Sequence, residues 1–298
     1  MCGIVGLHLR NPDLYPRLGV LLTEMLCEMQ DRGSDSAGVA VYGDPRWSPP
    51  GHATVSILDM SLGEDELAKA VGDVLGDRVE VVDSAPTFVV HAPVSVEALR
   101  AAVQEAVPEA LVIGFGQDVA VLKGVGHPRD LATRFGLEHA QGWQGVGHTR
   151  MATESAVSPA GCHPYAVGPD QCMVHNGSFH NYATIRRNLV SRGMTFDSEN
   201  DTEVGARFVA QCLEDGMDVE TALKELCRTF DGFYTLLVSN RDSFAVVRDA
   251  IACKPAVIAE TDDWVAMASE YRALVGLPGI ESARIFEPEP EQVYAWTR

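Results

Sequence analysis

The chain has 298 residues, 46% hydrophobic and 22% charged, which is the balance of a globular protein with a substantial core in one large domain or two modest ones. Its 42 acidic and 23 basic residues leave a formal charge of −19, which repels nucleic acid and anionic membranes. The sequence has no apolar run near the roughly 18–20 residues that cross a bilayer and no signal-peptide profile, and its seven cysteines are odd in number and lack a framework spacing, so reduced thiols in the cytoplasm are expected.

The opening Cys2-Gly3-Ile4-Val5-Gly6 is a short apolar strand candidate, and Leu18, Leu21, Leu22, Met25, Leu26 and Met29 then recur at helical spacing. A turn-rich stretch at Asp31–Asp35 ends that helix, a strand is predicted over 37–42, and the proline-rich 44–51 reads as a linker. Residues 52–116 form a unit of their own. Strands are expected near 53–58, 78–82, 87–90 and 110–114, with helices near 64–75 and 94–107, the order of a ferredoxin-like split βαβ unit. Further on, helices are predicted over 128–135, 182–192, 202–214 and 219–230. Short β runs at 233–239, 244–248, 256–259 and 265–268 suggest a meandering antiparallel sheet.

The most informative residue is the second. Removal of Met1, easy before a residue as small as cysteine, leaves Cys2 with its thiol and a free α-amine on one residue. The amine has a reference pKa of about 7.7–8.0 and the thiol about 8.5, so near neutral pH the amine can take the thiol proton without help from a histidine. Four turn-like segments beside apolar strand or helix candidates accompany it: Asp31 to Gly38, Gly147 to Thr153, His175 to Phe179, and Asn200 to Glu203. Taken singly, an arginine in a loop is a surface charge and Asn-Gly a tight turn.

Taken in order with the N-terminal Cys2 to Gly6, these segments resemble the class II glutamine amidotransferases, members of the N-terminal nucleophile hydrolases, along the chain apart from residues about 44–118. The resemblance implies an α+β fold, a four-layer α-β-β-α sandwich of two antiparallel sheets, spanning 2–298 with the ferredoxin-like unit at 52–116 inserted. It also implies hydrolysis of the glutamine side-chain amide through a thioester on Cys2. By the same resemblance Arg150 grips the substrate α-carboxylate, a task suited to a planar guanidinium, and Thr153 helps hold that end. Asp201 pairs with the ammonium, Asn176 and the Gly177 N–H receive the oxyanion, and Arg32 and Asp35 support the N-terminal strand and its amine.

Cys162, His163, Cys172 and His175 are types that bind zinc, but ligation by the adjacent Cys162 and His163 is awkward and His175 belongs to the oxyanion segment, so no metal is expected. Gly124-Val125-Gly126 lacks the third glycine and the lysine of a phosphate loop and reads as a strand-ending turn. The length, the insertion and the lack of a recognisable synthase domain resemble the amidotransferase subunits of glutamate synthase-like systems, including that of N-methylglutamate synthase. That narrower resemblance implies no cofactor in this chain, partner subunits carrying FMN and iron–sulfur clusters, a hetero-oligomer, and glutamine or γ-glutamyl methylamide as substrate. Met151 stands where many relatives carry an aromatic, which alters the pocket expected there. Two other functions remain open at this point, a catalytically silent glutamine-binding regulatory subunit and another amide hydrolase of the same superfamily.

Overall fold

The computed structural model of the chain describes residues 2–58, 62–151 and 157–298. In chain order the elements begin with Gly3–Leu9 (β1), Leu18–Glu28 (α1) and Ser36–Tyr42 (β2), followed by Ala53–Leu58 (β3), Glu64–Leu75 (α2), Glu80–Ser84 (β4), Thr87–Ala92 (β5), Val96–Ala106 (α3) and Leu111–Gly116 (β6). Val119–Val125 (β7), Pro128–Phe135 (α4), Gln144–Arg150 (β8) and Cys172–Phe179 (β9) lead to three helices, Tyr182–Ser191 (α5), Asp201–Glu214 (α6) and Val219–Thr229 (α7). The chain closes with Gly232–Ser239 (β10), Ser243–Arg248 (β11), Val257–Glu260 (β12), Trp264–Ala268 (β13), Arg284–Phe286 (β14) and Tyr294–Thr297 (β15). Helix starts follow local chemistry: Ser95, Asn200 and Asp218 each accept a hydrogen bond from a backbone N–H in the first turn, and Pro128 occupies a position where its missing N–H costs nothing.

The strands fall into two main antiparallel sheets, one ordered β14-β12-β13-β1-β8-β2-β7 and the other β15-β11-β10-β9. Every residue of β1, β2 and β8 is buried, and β1 and β2 accordingly read as largely apolar runs rather than as alternating ones, whereas β8 is buried although polar. On one face of the larger sheet Val5, Leu7 and Leu9 pack with Leu18, Leu22 and Leu26 of α1 and Leu131 and Phe135 of α4. On its other face Ile4, Val146 and Val265 meet Val174, Leu237, Phe244 and Val246 of the smaller sheet. The far side of that smaller sheet is covered by α5, α6 and α7 through Ile185, Leu189, Val204, Val209, Leu223 and Leu226. The result is the expected α-β-β-α order of layers. Gly6 lets the sheets come together at β1, because a Cβ there would collide with Leu237 and the Phe244 ring.

Three expectations are corrected. The segments containing Thr149-Arg150 and Asn176-Gly177 are strands β8 and β9 rather than turns, with Thr149 opposite Gly3 and Ala37, Arg150 opposite Ser36, Asn176 opposite Thr235 and Gly177 opposite Tyr234. The closing β runs do not form one meander, because β10 and β11 join the smaller sheet while β12 and β13 join the larger. The stretch 44–51 is anchored rather than a free linker: Trp47 is buried with Nε1 donating to Ser84 Oγ at 3.1 Å, and the Asp44 carboxylate accepts from the Gln141 backbone N–H at 2.9 Å.

Residues 53–116 build a third sheet, ordered β4-β5-β3-β6, with α2 and α3 against it around Val55, Leu67, Val71, Leu99 and Val103. That is the strand order of a ferredoxin-like unit. The unit abuts β7, the outermost strand of the larger sheet. Ser56 Oγ accepts from Val121 N at 3.0 Å, and Thr87 Oγ accepts from Lys123 N at 3.2 Å, so two hydroxyls stand where a further strand would pair.

The turn from β6 to β7 hangs on one carboxylate. Asp170 Oδ1 accepts from the backbone N–H groups of Gln117, Asp118 and Val119 at 3.0, 2.8 and 3.0 Å. Asp170→Ala is expected to lower stability by at least about 2 kcal/mol, since it leaves buried donors without an acceptor. Asp170→Asn keeps an acceptor oxygen and tolerates the positive φ of 50° at this residue, so it should cost markedly less. Equilibrium denaturation of the two variants checks this; equal losses would count against the account.

Candidate active site

Cys2 lies at the head of β1, where Gly3 is opposite Thr149 of β8 and Ile4 N–H donates to Ser269 Oγ at 2.9 Å just beyond β13. Two donors converge on the Cys2 carbonyl: Arg32 Nε at 2.9 Å and Asn176 Nδ2 at 3.2 Å. Arg32 is itself buried, and its charge is met by Glu270 Oε1 at 2.6 Å, with Glu270 in turn paired to Arg272 at 3.0 Å. A buried guanidinium needs such a counter-charge. The Cys2 thiol is half-buried, with Sγ 3.9 Å from the Met151 carbonyl oxygen.

Asn176 and Gly177 lie on β9, the free edge of the smaller sheet. Tyr234, opposite Gly177, donates its N–H to Asp249 Oδ1 at 2.8 Å and accepts from Asp249 N at 3.0 Å, both on the side away from β9. In an antiparallel ladder such a residue forms a non-hydrogen-bonded pair, so its partner's own N–H and C=O point outward. The alternate residues of β9 obey this parity. Met173 N–H goes out to the Tyr165 carbonyl at 2.9 Å, the His175 carbonyl faces His148 Nε2 at 3.0 Å, and Phe179 N–H goes out to Asp201 Oδ2 at 2.8 Å. Gly177 N–H therefore faces out from the sheet edge beside the Asn176 amide, which bonds Cys2. Its φ of +148° and the Phe233 carbonyl oxygen behind it leave no room for a side chain.

Arg150, at the end of β8, is buried, and a Cβ on Gly161 would stand 3.3 Å from its Nη1. Asp201 opens α6, where the helix dipole favours an anion. A cleft of about 380 Å³ is lined by residues that include Gly161, Asp197, Ser198 and Asn200, the last of which precedes Asp201 in the chain. Asp35 supports the end of β8 through its backbone, with its N–H on the Arg150 carbonyl at 3.1 Å and its own carbonyl receiving Gly126 N–H at 2.9 Å. Thr153 lies outside the described residues. The structure thus brings Cys2, Arg32 and Asn176 into one hydrogen-bonded cluster with Gly177 adjacent, while Gly161, next to the Arg150 guanidinium, and Asn200, which precedes Asp201, line one cleft.

Sequence reasoning missed several residues around this cluster. Glu203 is buried, and its carboxylate accepts from Asp197 N, Ser198 N and Arg207 Nε at 2.7–2.8 Å, which shapes the loop before Asp201. His163 Nε2 and His175 Nδ1 meet at Thr202 Oγ at 3.0 and 2.8 Å, and the His148 and His163 rings stack with centroids 4.0 Å apart. The cysteines weighed with them for zinc are engaged elsewhere: Cys162 Sγ donates to the Ser158 carbonyl at 3.2 Å, and Cys172 is buried between the sheets. In the sequence His148 and His175 fall inside two of the motif segments; that His163 and His175 share one hydroxyl is a tertiary fact.

Burial pulls the pKa of all three histidines down, that of His148 to about 3. Each binds its proton in the unfolded chain near the ordinary value of about 6.5 and resists it when folded. Stability from this source is therefore complete above about pH 6.5 and lost as pH falls toward the folded values. Thermal melts should show a steep decline below pH 6.5 that His148→Gln makes shallower; an identical pH slope in the variant would refute the assignment.

A glutamine amidotransferase domain family matches residues 135–288. The chain is 47% identical to the glutamine amidotransferase-like protein GlxB of Rhizobium meliloti over 99% of this chain and 98% of that one. It is 30% identical to a glutamine–fructose-6-phosphate aminotransferase of Acidithiobacillus ferridurans over 55% of this chain and 27% of that one. Among solved structures, the glutamine phosphoribosylpyrophosphate amidotransferase of B. subtilis superposes with a TM-score of 0.61 at 17% identity, covering 99% of this chain and 49% of that one. The chain thus spans about half of that enzyme and nearly all of the Rhizobium protein. Among the described residues no helix is long and apolar enough to cross a membrane. With its N-terminal cysteine strand, antiparallel double sheet and matched domain, the chain belongs to the class II glutamine amidotransferase family.

Proposed function

We propose that this chain is a glutaminase, cleaving the side-chain amide of glutamine with Cys2 as nucleophile and passing the released amine to a partner of the glutamate synthase kind. The observation that carries the reading is the double grip on the Cys2 carbonyl by Arg32 and Asn176, which fixes the second residue beside an outward-facing N–H of Gly177. With Met1 removed, the Cys2 amine takes the thiol proton and Sγ attacks the γ-carbonyl carbon. The resulting oxyanion is met by Gly177 N–H and the remaining N–H of the Asn176 amide. Collapse returns the proton from the amine to the leaving nitrogen, and ammonia departs to leave a γ-glutamyl thioester. Water, deprotonated by the same amine, attacks that thioester and frees glutamate. Arg150 holds the substrate carboxylate in a two-pronged contact and Asp201 its ammonium, so a free amino acid is preferred over a peptide.

Ammonia released into neutral water is protonated and lost as a nucleophile, which favours coupling to a docked acceptor enzyme. A partner bearing FMN and iron–sulfur clusters would supply the reducing chemistry of such a synthase. The amide accepted includes γ-glutamyl methylamide in this reading: Met151, whose carbonyl faces the Cys2 thiol, carries a flexible side chain where many relatives carry a rigid ring.

Cys2→Ala is expected to abolish hydrolysis. Asn176→Ala should lower kcat by on the order of a hundred-fold or more, and Arg150→Lys should chiefly raise KM for glutamine because an ammonium cannot reproduce the paired contact. Steady-state kinetics decide, and full activity in a protein retaining Met1, checked by intact mass, would overturn the amine as base. For the coupled function, hydrolysis of glutamine and its N-methylamide is measured with and without candidate synthase subunits. Full-speed glutaminase activity that those subunits leave unchanged would argue against the coupling, and inert methylamide against the wider substrate.

A further inference from the structure

Thr202 is the second residue of α6, and its buried hydroxyl sits among three side chains: His175 Nδ1 at 2.8 Å, His163 Nε2 at 3.0 Å and Asp201 Oδ1 at 3.5 Å. A hydroxyl has one proton to give and two lone pairs with which to receive, so three contacts leave little freedom over who donates. Burial keeps both histidines neutral near pH 7, and each then carries one N–H. Among the described residues, His175 Nε2 and His163 Nδ1 have no hydrogen-bond partner. Protons placed there would strand two buried donors, which is costlier than leaving two bare acceptors. Asp201, 4.0 Å from His175 Nδ1, further favours the proton on that nitrogen. Both N–H groups therefore point at Thr202 Oγ and fill its lone pairs. The hydroxyl proton has the Asp201 carboxylate as its remaining acceptor.

We propose that Thr202 is a positioning residue of the glutamine pocket: its hydroxyl, filled by the N–H groups of His163 and His175, turns its one proton to Asp201 and holds that carboxylate in place to receive the substrate ammonium. The arrangement rests on the role given to Asp201 under Proposed function. Asp201 Oδ2 is held by Phe179 N–H at 2.8 Å, so with Thr202 on Oδ1 both oxygens are oriented by the protein before substrate arrives. The same hydroxyl fixes His175, the residue preceding the oxyanion donor Asn176. One buried side chain thus ties the end of the pocket that reads the amino acid to the strand that reads the transition state.

The experiment compares Thr202→Ser with Thr202→Ala, which differ only by the hydroxyl, and adds Thr202→Val as a closer match in shape. Glutamine binding is measured by calorimetry on each variant in a Cys2→Ala background, together with kcat and KM in the Cys2 protein. The serine variant is expected to stay within about three-fold of the parent, and the alanine and valine variants to bind glutamine about ten-fold or more weakly, the loss typical of a hydrogen bond to a charged group. For glutaramate, which lacks the ammonium, the gap between alanine and serine variants should largely close. Equal glutamine affinity in the alanine and serine variants, or an equal loss for both ligands, overturns the proposal. So does failure of both the alanine and valine variants to fold while the serine variant folds, because the hydroxyl is then a folding requirement. Parent protein that binds glutamine with the expected sensitivity at Thr202 yet does not hydrolyse it would overturn the glutaminase reading and leave this inference standing; absence of glutamine binding overturns both.

Discussion

The carbonyl of Cys2 is where the two sheets of this protein agree on a position. Arg32 reaches it from the turn between α1 and β2, on the side of the larger sheet, and Asn176 reaches it from the edge strand of the smaller one. Each bond is worth only about 1–3 kcal/mol, while each fully buried Leu, Ile, Val or Phe between the sheets contributes roughly as much alone. The apolar layer around Ile4, Val174, Leu237 and Phe244 therefore sets the spacing of the sheets, and the clamp converts that spacing into a defined place for one thiol. A change that shifts the sheets, such as filling the space at Gly6, is felt at Cys2 although it lies four residues away on an inner strand.

The side of the site proposed to receive the oxyanion draws on a property that sheets usually hide. An edge strand has outward N–H groups with no neighbouring strand, and proteins ordinarily cover them. Here β9 has its outward groups capped one by one, by Tyr165, His148 and Asp201, at Met173, His175 and Phe179. Gly177 falls in the same series, directly beside the amide that holds Cys2. A backbone donor on a strand is aimed by the whole ladder and costs no reorganisation when charge develops, which is the requirement for stabilising a transient anion.

Much of this was legible in the sequence, for reasons that differ by region. The insertion reads cleanly because α2 and α3 are amphipathic and its strands are set off by turn signals; β4 is displaced by two residues, to Glu80–Ser84, and β6 by one to two, to Leu111–Gly116. Arg150, Asn176 and Asp201 were picked out because their spacing resembles a known set, whereas Cys2 also stood out by its own chemistry, a thiol and a free α-amine on one residue. The strands that carry the motifs were misread as turns, since glycine, asparagine and histidine are poor strand formers and their placement in β8 and β9 comes from pairing with β1, β2 and β10. The partition of the closing strands between two sheets was not legible either, because each run is apolar on both faces and a pattern of that kind does not say which sheet it joins.

A path of direct contacts leads from the ferredoxin-like unit to the pocket. Ser56 and Thr87 hydroxyls replace a missing strand along β7, and Lys123 lies on that strand. The Lys123 ammonium is buried, which lowers its pKa to about 8, and it is kept by the carbonyls of Cys162 at 3.0 Å and Pro164 at 3.3 Å. Between those two residues is His163, whose ring lies under His148 and donates to Thr202. An ammonium held on two carbonyls pins a three-residue segment far more tightly than either carbonyl could be held by a neutral donor. The edge strand that the insertion covers is thus the strand that holds His163 in register with the pocket, and packing at Thr87 bears on Asp201 through four successive contacts.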